Sequence, residues 1–365
     1  MTAGNPRAMF VTNGPAPYRD ALFEAVESGA PGRWRVLYLH DRVPGRQWTR
    51  RSDPAYDHRT ARRAIAGDVG AELEAFAPDV VLIGGWGEPG CWLARRWCLR
   101  SGTPALAWAE SHDGSGRRRG VVSNGLRRRF LHGLSGGIVP GQEGAAFLRR
   151  LGLSGALLEF PNPVVHPLRT AYPAPPTDEI SLLFVGALET RKQPERVLDI
   201  AAVAARSGQP VRVTFAGAGS LGGSIAQRAR RANVEALLAG YVEHEELEAL
   251  WSSAHCLVLA SKDDPAPLVL SEAAARGVPF VASSACGGAA TLLALGAAGR
   301  QVTFEAGPEQ WWDAARAVIG LPRVPLRDVL PEPAARRLQA YVEAQSAATP
   351  ARHEGHRRRR ERANH

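Results

Sequence analysis

Lysine is almost missing from this chain of 365 residues: of 45 basic residues, only Lys192 and Lys262 are lysine. That bias toward arginine reads as a base-composition effect on the coding sequence, so no function is drawn from it. Cysteine is scarce as well. Cys91, Cys98, Cys256 and Cys286 form no CxxC pair and no metal-ligand spacing, which argues against a disulfide framework or a zinc site and for buried thiols in a reducing cytoplasm. No run of eighteen or more apolar residues lacks a charge, so a transmembrane helix is not expected. The segment Met1–Pro6 has no basic n-region, and Arg7 leads directly into a strand-like run, so no signal peptide is expected either.

What is present suits two α/β domains. The length exceeds one ordinary domain, and 45% hydrophobic residues suffice for two cores. The net charge of +9 is local. Six arginines and no acid lie between Arg117 and Arg129, a net +6. Six arginines against Glu354 and Glu361 lie between Arg352 and Arg362, a net +4, which leaves the rest of the chain at −1. A global nucleic-acid signature is therefore excluded.

The first half alternates strand-like and helix-like segments. Met9–Asn13 and Trp34–Leu39 read as strands, with Arg19–Glu27 as a helix between them. Val80–Gly84 and Pro104–Trp108 flank a helix near Trp92–Arg100. Such alternation predicts a parallel sheet with helices on both faces, which binds ligands beyond the carboxyl ends of its strands. The proline-dense stretch Pro161–Pro176 continues neither a helix nor a central strand and marks a linker. The alternation then restarts, with strands at Ser181–Gly186, Val211–Gly217 and Cys256–Ala260. Helices follow over Pro194–Arg206, Ser224–Ala232, Glu245–Ser252 and Val269–Arg276, the last stopped by Gly277 and Pro279. Pro331–Ala348 reads as a final helix, and the Arg-rich segment 351–365 as a disordered tail.

Four features of the second half carry chemistry. Gly186 ends a strand and leads to Arg191-Lys192, a basic pair at a βα turn that neutralises a diphosphate or simply solvates a helix start. Gly217-Ala-Gly219-Ser-Leu-Gly222 matches GxGxxG, but a dinucleotide site needs an acid ending a second strand about twenty residues on. Glu235 instead precedes the apolar run Ala236–Ala239, which argues against NAD or FAD. Asp264 stands in a loop after a strand, and Glu272 eight residues later on a helix, so two acids can grip two hydroxyl groups of one ligand. The amides of Leu268 and Val269 at that helix start can hold phosphate oxygens; alternatively, Asp263 and Asp264 merely cap the helix. Two adjacent acids with no third ligand make a poor metal site. Finally, Gly287-Gly288 after Phe280–Ala282 permits close backbone approach to a ligand, or is a simple turn.

In this order and spacing the features resemble the family 4 glycosyltransferases over about Leu182–Val302. The resemblance rests on a strand ending in Val-Gly, Lys192, F-x-G-x-G, Gly240-Tyr241-Val242 followed by acids, the acid pair Asp264 and Glu272, and E-A-x-x-x-G-x-P. It implies a GT-B fold, two Rossmann-like domains facing an interdomain cleft. It also implies retaining transfer from a nucleoside-diphosphate sugar to a saccharide, lipid-linked saccharide or natural-product hydroxyl. By the same resemblance Lys192 binds the donor diphosphate, Glu272 the ribose hydroxyls and Asp264 the transferred sugar, while Gly217 and Gly219 line the nucleotide pocket. No cofactor and no metal are implied, since basic groups substitute for a cation. Where the family has Arg after Val-Gly this chain has Ala187, with Arg191 as a substitute; where the family has Glu after Gly-Gly it has Thr291, and Asp264 replaces the usual longer Glu.

The corresponding division places an acceptor-side domain over 1–165, a linker over 166–178 and a nucleotide-sugar-binding domain over 179–330. A terminal helix over 331–350 and the tail over 351–365 complete it. On the acceptor side, Gly14, Tyr18 and Arg19 sit in the opening loop, and Glu110, His112 and Asp113 at a later strand end. His112 resembles the His that neighbours the donor sugar in some relatives; the alternative is a surface loop histidine. The Arg117–Arg129 cluster reads either as a face for anionic membrane or a lipid-linked acceptor, or as a solvated helix face. The expected location is cytoplasmic, with peripheral contact at the inner membrane face under the first of those readings. A GT-B sugar-nucleotide epimerase and a non-enzymatic basic binding protein are the rival readings.

Overall fold

A computed structural model describes residues 5–42, 54–61, 66–111, 120–165, 172–176 and 178–348. Two parallel sheets organise them. The first contains β1 (Ala8–Thr12), β2 (Trp34–Tyr38), β3 (His58–Thr60), β4 (Val80–Ile83), β5 (Ala105–Trp108), β6 (Gly136–Val139) and β7 (Ala156–Glu159). Its spatial order is β3-β2-β1-β4-β5-β6-β7. The second contains β8 (Ile180–Val185), β9 (Val211–Ala216), β10 (Glu235–Gly240), β11 (Cys256–Leu259), β12 (Phe280–Ser283) and β13 (Gly299–Val302), in the order β10-β9-β8-β11-β12-β13.

The central strands are near-continuous apolar runs because helices cover both faces. Every residue of β1, β4, β5 and β11 is buried. The edge strand β10 instead mixes exposed and half-buried positions, with Leu237 56% exposed. In each sheet the strand order reverses once, between β1 and β4 and between β8 and β11. At such a switch point the crossover helices diverge and leave a crevice at the carboxyl ends.

The two carboxyl edges face each other. Past β6, a Cβ on Gly141 would lie 2.6 Å from the Cα of Gly288, which follows β12. The Gln142 amide donates to Thr291 Oγ1 at 3.2 Å, and that hydroxyl donates to Glu159 Oε2 at 2.7 Å. Gly288 N–H reaches Glu143 Oε2 at 3.4 Å. Thr291, where the resemblance expects an acid, is thus part of a clasp between the two units.

The final helix, Pro331–Ala347, returns to the first sheet. Its Ala334, Ala335, Leu338 and Val342 join Phe10, Phe23 and Leu106 in one core. Tyr341 Oη accepts from Gly137 N–H at 3.0 Å and donates to Ala156 O at 2.8 Å. Burial of a side chain such as Leu338 is worth about 1.5–3 kcal/mol, so this helix, the last among the described residues, braces the first domain. The linker expected over 166–178 lies outside the described residues at 166–171 and 177, as does the tail over 351–365. All four cysteines are free and buried. Burial pushes the thiols of Cys91, Cys256 and Cys286 up to about 12.

Candidate functional site

The crevice between β8 and β11 collects the charged residues. The chain leaves β8 through Gly186 and turns through a short 3-10 segment, Thr190–Lys192. Lys192 Nζ donates to Asp264 Oδ2, in the loop after β11. Arg191 Nη1 lies 3.6 Å from Asp264 Oδ1 and donates to Asp263 O at 2.7 Å. The Asp264 side chain is 9% exposed and that of Lys192 13%. Backbone bonds hold Asp264 in place: its N–H reaches Ala285 O at 3.2 Å, and Gly287 N–H reaches its carbonyl at 2.9 Å. Two cations thus meet one buried carboxylate.

Eight residues on, Glu272 sits on the Leu268–Arg276 helix, which begins without a side-chain cap. The Leu268 and Val269 amides at that end have no intrahelical carbonyl before them. Leu268 is half-buried and Val269 buried. Glu272 is half-buried; the protein packed around it raises its carboxyl pKa. Arg276 opposes that rise, and Glu248 adds to it. Arg276 itself is ion-paired with Glu248 and donates to Glu272 O at 2.9 Å.

The glycines of F-x-G-x-G answer to loop packing. A Cβ on Gly217 would stand 1.9 Å from Gly186 O, and one on Gly219 2.4 Å from Leu188 O. Gly217 also has φ +150°, a region L side chains rarely occupy. The β8 and β9 loops therefore touch backbone to backbone, which fixes the turn that carries Lys192. Gly217→Ala is expected to lower stability by about 1–3 kcal/mol, measured by thermal unfolding. An unchanged melting temperature would mean that the loops are not in this contact. The GxGxxG match has no acid at a second strand end, because Glu235 is the first residue of β10.

On the facing edge, Glu110 Oε1 accepts from Tyr18 Oη at 3.0 Å and from Arg19 Nη2 at 3.3 Å. Arg19, 9% exposed, also donates to Thr12 Oγ1 at 3.0 Å. Gly14 N–H bonds the Asn13 side chain at 2.9 Å, which shapes the opening loop. Tyr18, Arg19 and Glu110 thus form one group between the ends of β1 and β5. His112 and Asp113 lie outside the described residues. Sequence reasoning missed a second polar pair, His40 Nε2 with Glu88 Oε2 at 3.0 Å, beyond β2 and β4. The only signal was position: each follows a strand end at the ligand-binding edge. Among the described residues no cluster of three or more His, Cys, Asp or Glu is placed to hold a metal ion.

Comparison with known proteins follows this division. Residues 171–334 match the family model described as Glycosyl transferases group 1. A glycogen synthase from Mycobacterium tuberculosis is 32% identical over 173 residues, 47% of this chain and 39% of that protein. The match thus spans about two-fifths of the length of the curated relatives. Structural similarity extends over both halves. The lipopolysaccharide outer core galactosyltransferase WaaB, in its apo form, superposes with a TM-score of 0.72 at 14% identity, covering 93% of this chain and 99% of that one. A sucrose-phosphate synthase from Thermosynechococcus elongatus gives 0.60 at 19% identity, covering 98% and 99%. Anabaena HepE, in complex with UDP and glucose, gives 0.59 at 14% identity, covering 93% and 95%. The fold is GT-B.

Proposed function

We propose that this chain is a retaining glycosyltransferase that moves a sugar from a nucleoside diphosphate to an acceptor hydroxyl. The observation that carries the proposal is the meeting of Arg191, Lys192 and Asp264 at the β8–β11 switch point, one helix start away from Glu272. The match of 171–334 to glycosyl transferases supports the same reading.

In this reading the donor diphosphate takes Lys192, Arg191 and the Leu268 and Val269 amides. Negative charge grows on the departing phosphate as the anomeric carbon becomes oxocarbenium-like, and these fixed positive groups stabilise it. No metal is required, because the cations already present carry that role. Glu272 accepts hydrogen bonds from the ribose hydroxyls, and Asp264 contacts the sugar. The bond from the anomeric carbon to the donor phosphate breaks, the acceptor oxygen bonds that carbon on the face the phosphate leaves, and the departing phosphate takes the acceptor proton, so configuration is retained. Tyr18, Arg19 and Glu110 line the acceptor side of the cleft. Closure excludes water, the competing acceptor.

Calorimetric titration of UDP and GDP without metal tests the donor site. Micromolar binding of one nucleotide is expected, and Glu272→Gln is expected to weaken it at least tenfold. The ribose contact needs the carboxylate. Because the Glu272 pKa is raised, affinity should be full above that pKa and fall on acidification earlier than for an ordinary glutamate. The stability sign is opposite: a raised carboxyl pKa favours the protonated folded state, so ionisation costs stability as pH rises through it. Glu272→Gln should therefore melt higher than wild type at neutral pH while binding less. A folded protein that binds neither nucleotide would remove the reading for these bases.

A further inference from the structure

A buried ion pair calls for an account, because apolar side chains of similar size often pack at least as well. Arg276 and Glu248 are 2% and 8% exposed. Arg276 ends the Leu268–Arg276 helix, and Glu248 comes from the His244–Ser253 helix. The guanidinium is engaged on every side. Its Nε and Nη2 both donate to the Glu248 carboxylate, Nε at 3.1 Å, and its Nη1 donates to Glu272 O at 2.9 Å. Its central carbon lies 5.5 Å from the ring centre of Trp251 and 5.9 Å from that of Tyr172.

Tyr172 brings in the chain that joins the two sheets. It stands between β7 and β8, is buried, and its hydroxyl donates to Glu248 Oε2. Four residues on, Pro176 O accepts from His255 Nε2 at 2.8 Å, while His255 Nδ1 accepts from Ser181 N–H at 2.9 Å. Residues 172–176 of the connector are thus fixed to the second domain at two points. One of them is a single carboxylate away from Arg276.

We infer that Arg276 is a positioning residue for Glu272, held in place by Glu248 and, behind it, by Tyr172, so that the support of the ribose-binding carboxylate reaches into the segment joining the two domains. The inference rests on the role proposed above for Glu272. Residues four apart on a helix share a face, so Arg276 stands one turn from Glu272, and its bond to Glu272 O fixes the backbone there. A guanidinium this deeply buried needs a counter-charge, which Glu248 supplies; Tyr172 then satisfies the second Glu248 oxygen. Two charged groups bear on Glu272: Arg276 favours its ionised form, and Glu248 opposes it more weakly. Across the helix start, Arg191, Lys192 and Asp264 are paired with one another. An apolar trio of similar volume would fill the same space but leave the half-buried Glu272 without this cation.

Calorimetry of UDP and GDP with the full chain, from acid to neutral pH, tests it. Glu248→Gln removes the charge that opposes Glu272 and keeps an acceptor for Arg276, so the acid midpoint of nucleotide binding should fall by on the order of one pH unit. Tyr172→Phe combined with Glu248→Leu and Arg276→Met replaces the network by apolar side chains of similar size, a change that buried ion pairs often tolerate. There the midpoint should rise instead, by roughly half a pH unit, and this variant carries the test if Glu248→Gln does not fold. The nucleotide's own titration is common to all the proteins, so the differences belong to the protein. A network kept for stability alone shifts the melting temperature without moving the midpoint, so folded variants with the wild-type midpoint would overturn the inference. Tyr172→Phe alone keeps the ring beside Arg276 and removes only the hydroxyl. Glu248 then loses a donor that draws on its charge, and a small rise of the midpoint is expected; none would overturn the connector's part. Wild type that binds neither nucleotide would sink the ribose role of Glu272. Carbon-13 NMR titration of the Glu272 carboxyl in wild type and in the apolar variant still reads the network in that event, and coincident titrations would overturn it.

Discussion

Lys192→Ala is expected to lower kcat/KM for sugar transfer by about a hundred- to a thousandfold, the usual cost of removing one group aimed at developing charge. The reasoning begins with burial. The Lys192 ammonium is 13% exposed and sits against a carboxylate that is 9% exposed, so water screens it poorly and its attraction for a departing phosphate is stronger than an exposed lysine's. The charge on that phosphate grows between ground state and transition state, so the loss should fall mainly on kcat, with a smaller change in nucleotide affinity. Arg191 approaches the same carboxylate at 3.6 Å and should leave a measurable residue of activity. Steady-state kinetics separates the outcomes. A large change in KM with kcat preserved would mean that Lys192 only binds the donor. A variant as active as wild type would move the phosphate site elsewhere. Lys192→Arg restores the charge with a different shape, and partial recovery is the expected result.

The group at the β8–β11 switch point was legible because its residues are local to strand ends. A parallel strand followed by a turn puts whatever comes next at the carboxyl edge, so Gly186, Lys192, Asp264 and Glu272 could be placed from spacing alone. The glycines were legible as glycines, but their reason was not. Gly217 and Gly219 are small because the β8 loop occupies the space a Cβ would need, a fact of tertiary contact that no local pattern carries. The facing edge of the first sheet was harder for the same reason. Tyr18 and Glu110 are 92 positions apart, His40 and Glu88 48 apart, and each pair is made only when β1, β2, β4 and β5 fall into order. Val121 and Val122 stand in solvent because their helix packs through Phe130 and Leu131 on its other side. The final helix reads clearly as a helix, yet its docking on the first sheet depends on Tyr341 reaching Gly137 across 204 positions.

Asp264→Asn should separate binding of the nucleotide from transfer of the sugar. Asp264 takes the place a diphosphate oxygen would want, since its Oδ2 accepts from Lys192 and its Oδ1 lies near Arg191. An incoming diphosphate must compete with that carboxylate for the same cations. Asparagine keeps the shape and one acceptor oxygen but gives up the charge, so affinity for a nucleoside diphosphate is expected to hold or rise a few-fold. Transfer should move the other way. A hydrogen bond from a sugar hydroxyl to a charged group is worth about 1.5–3 kcal/mol, and the negative charge beside an oxocarbenium-like centre is lost with it. A fall in kcat of about a hundredfold is therefore expected alongside undiminished nucleotide binding. Calorimetry with the nucleotide and kinetics with the donor sugar read the two effects separately. Parallel loss of both would mean that Asp264 acts only by holding Lys192 in position, and the assignment of Asp264 to the sugar would fall. Asp264→Glu then provides a second test. It extends the carboxylate by one methylene toward the sugar, so a role in sugar contact predicts a change in which donor sugar is preferred, whereas a role confined to holding Lys192 predicts none.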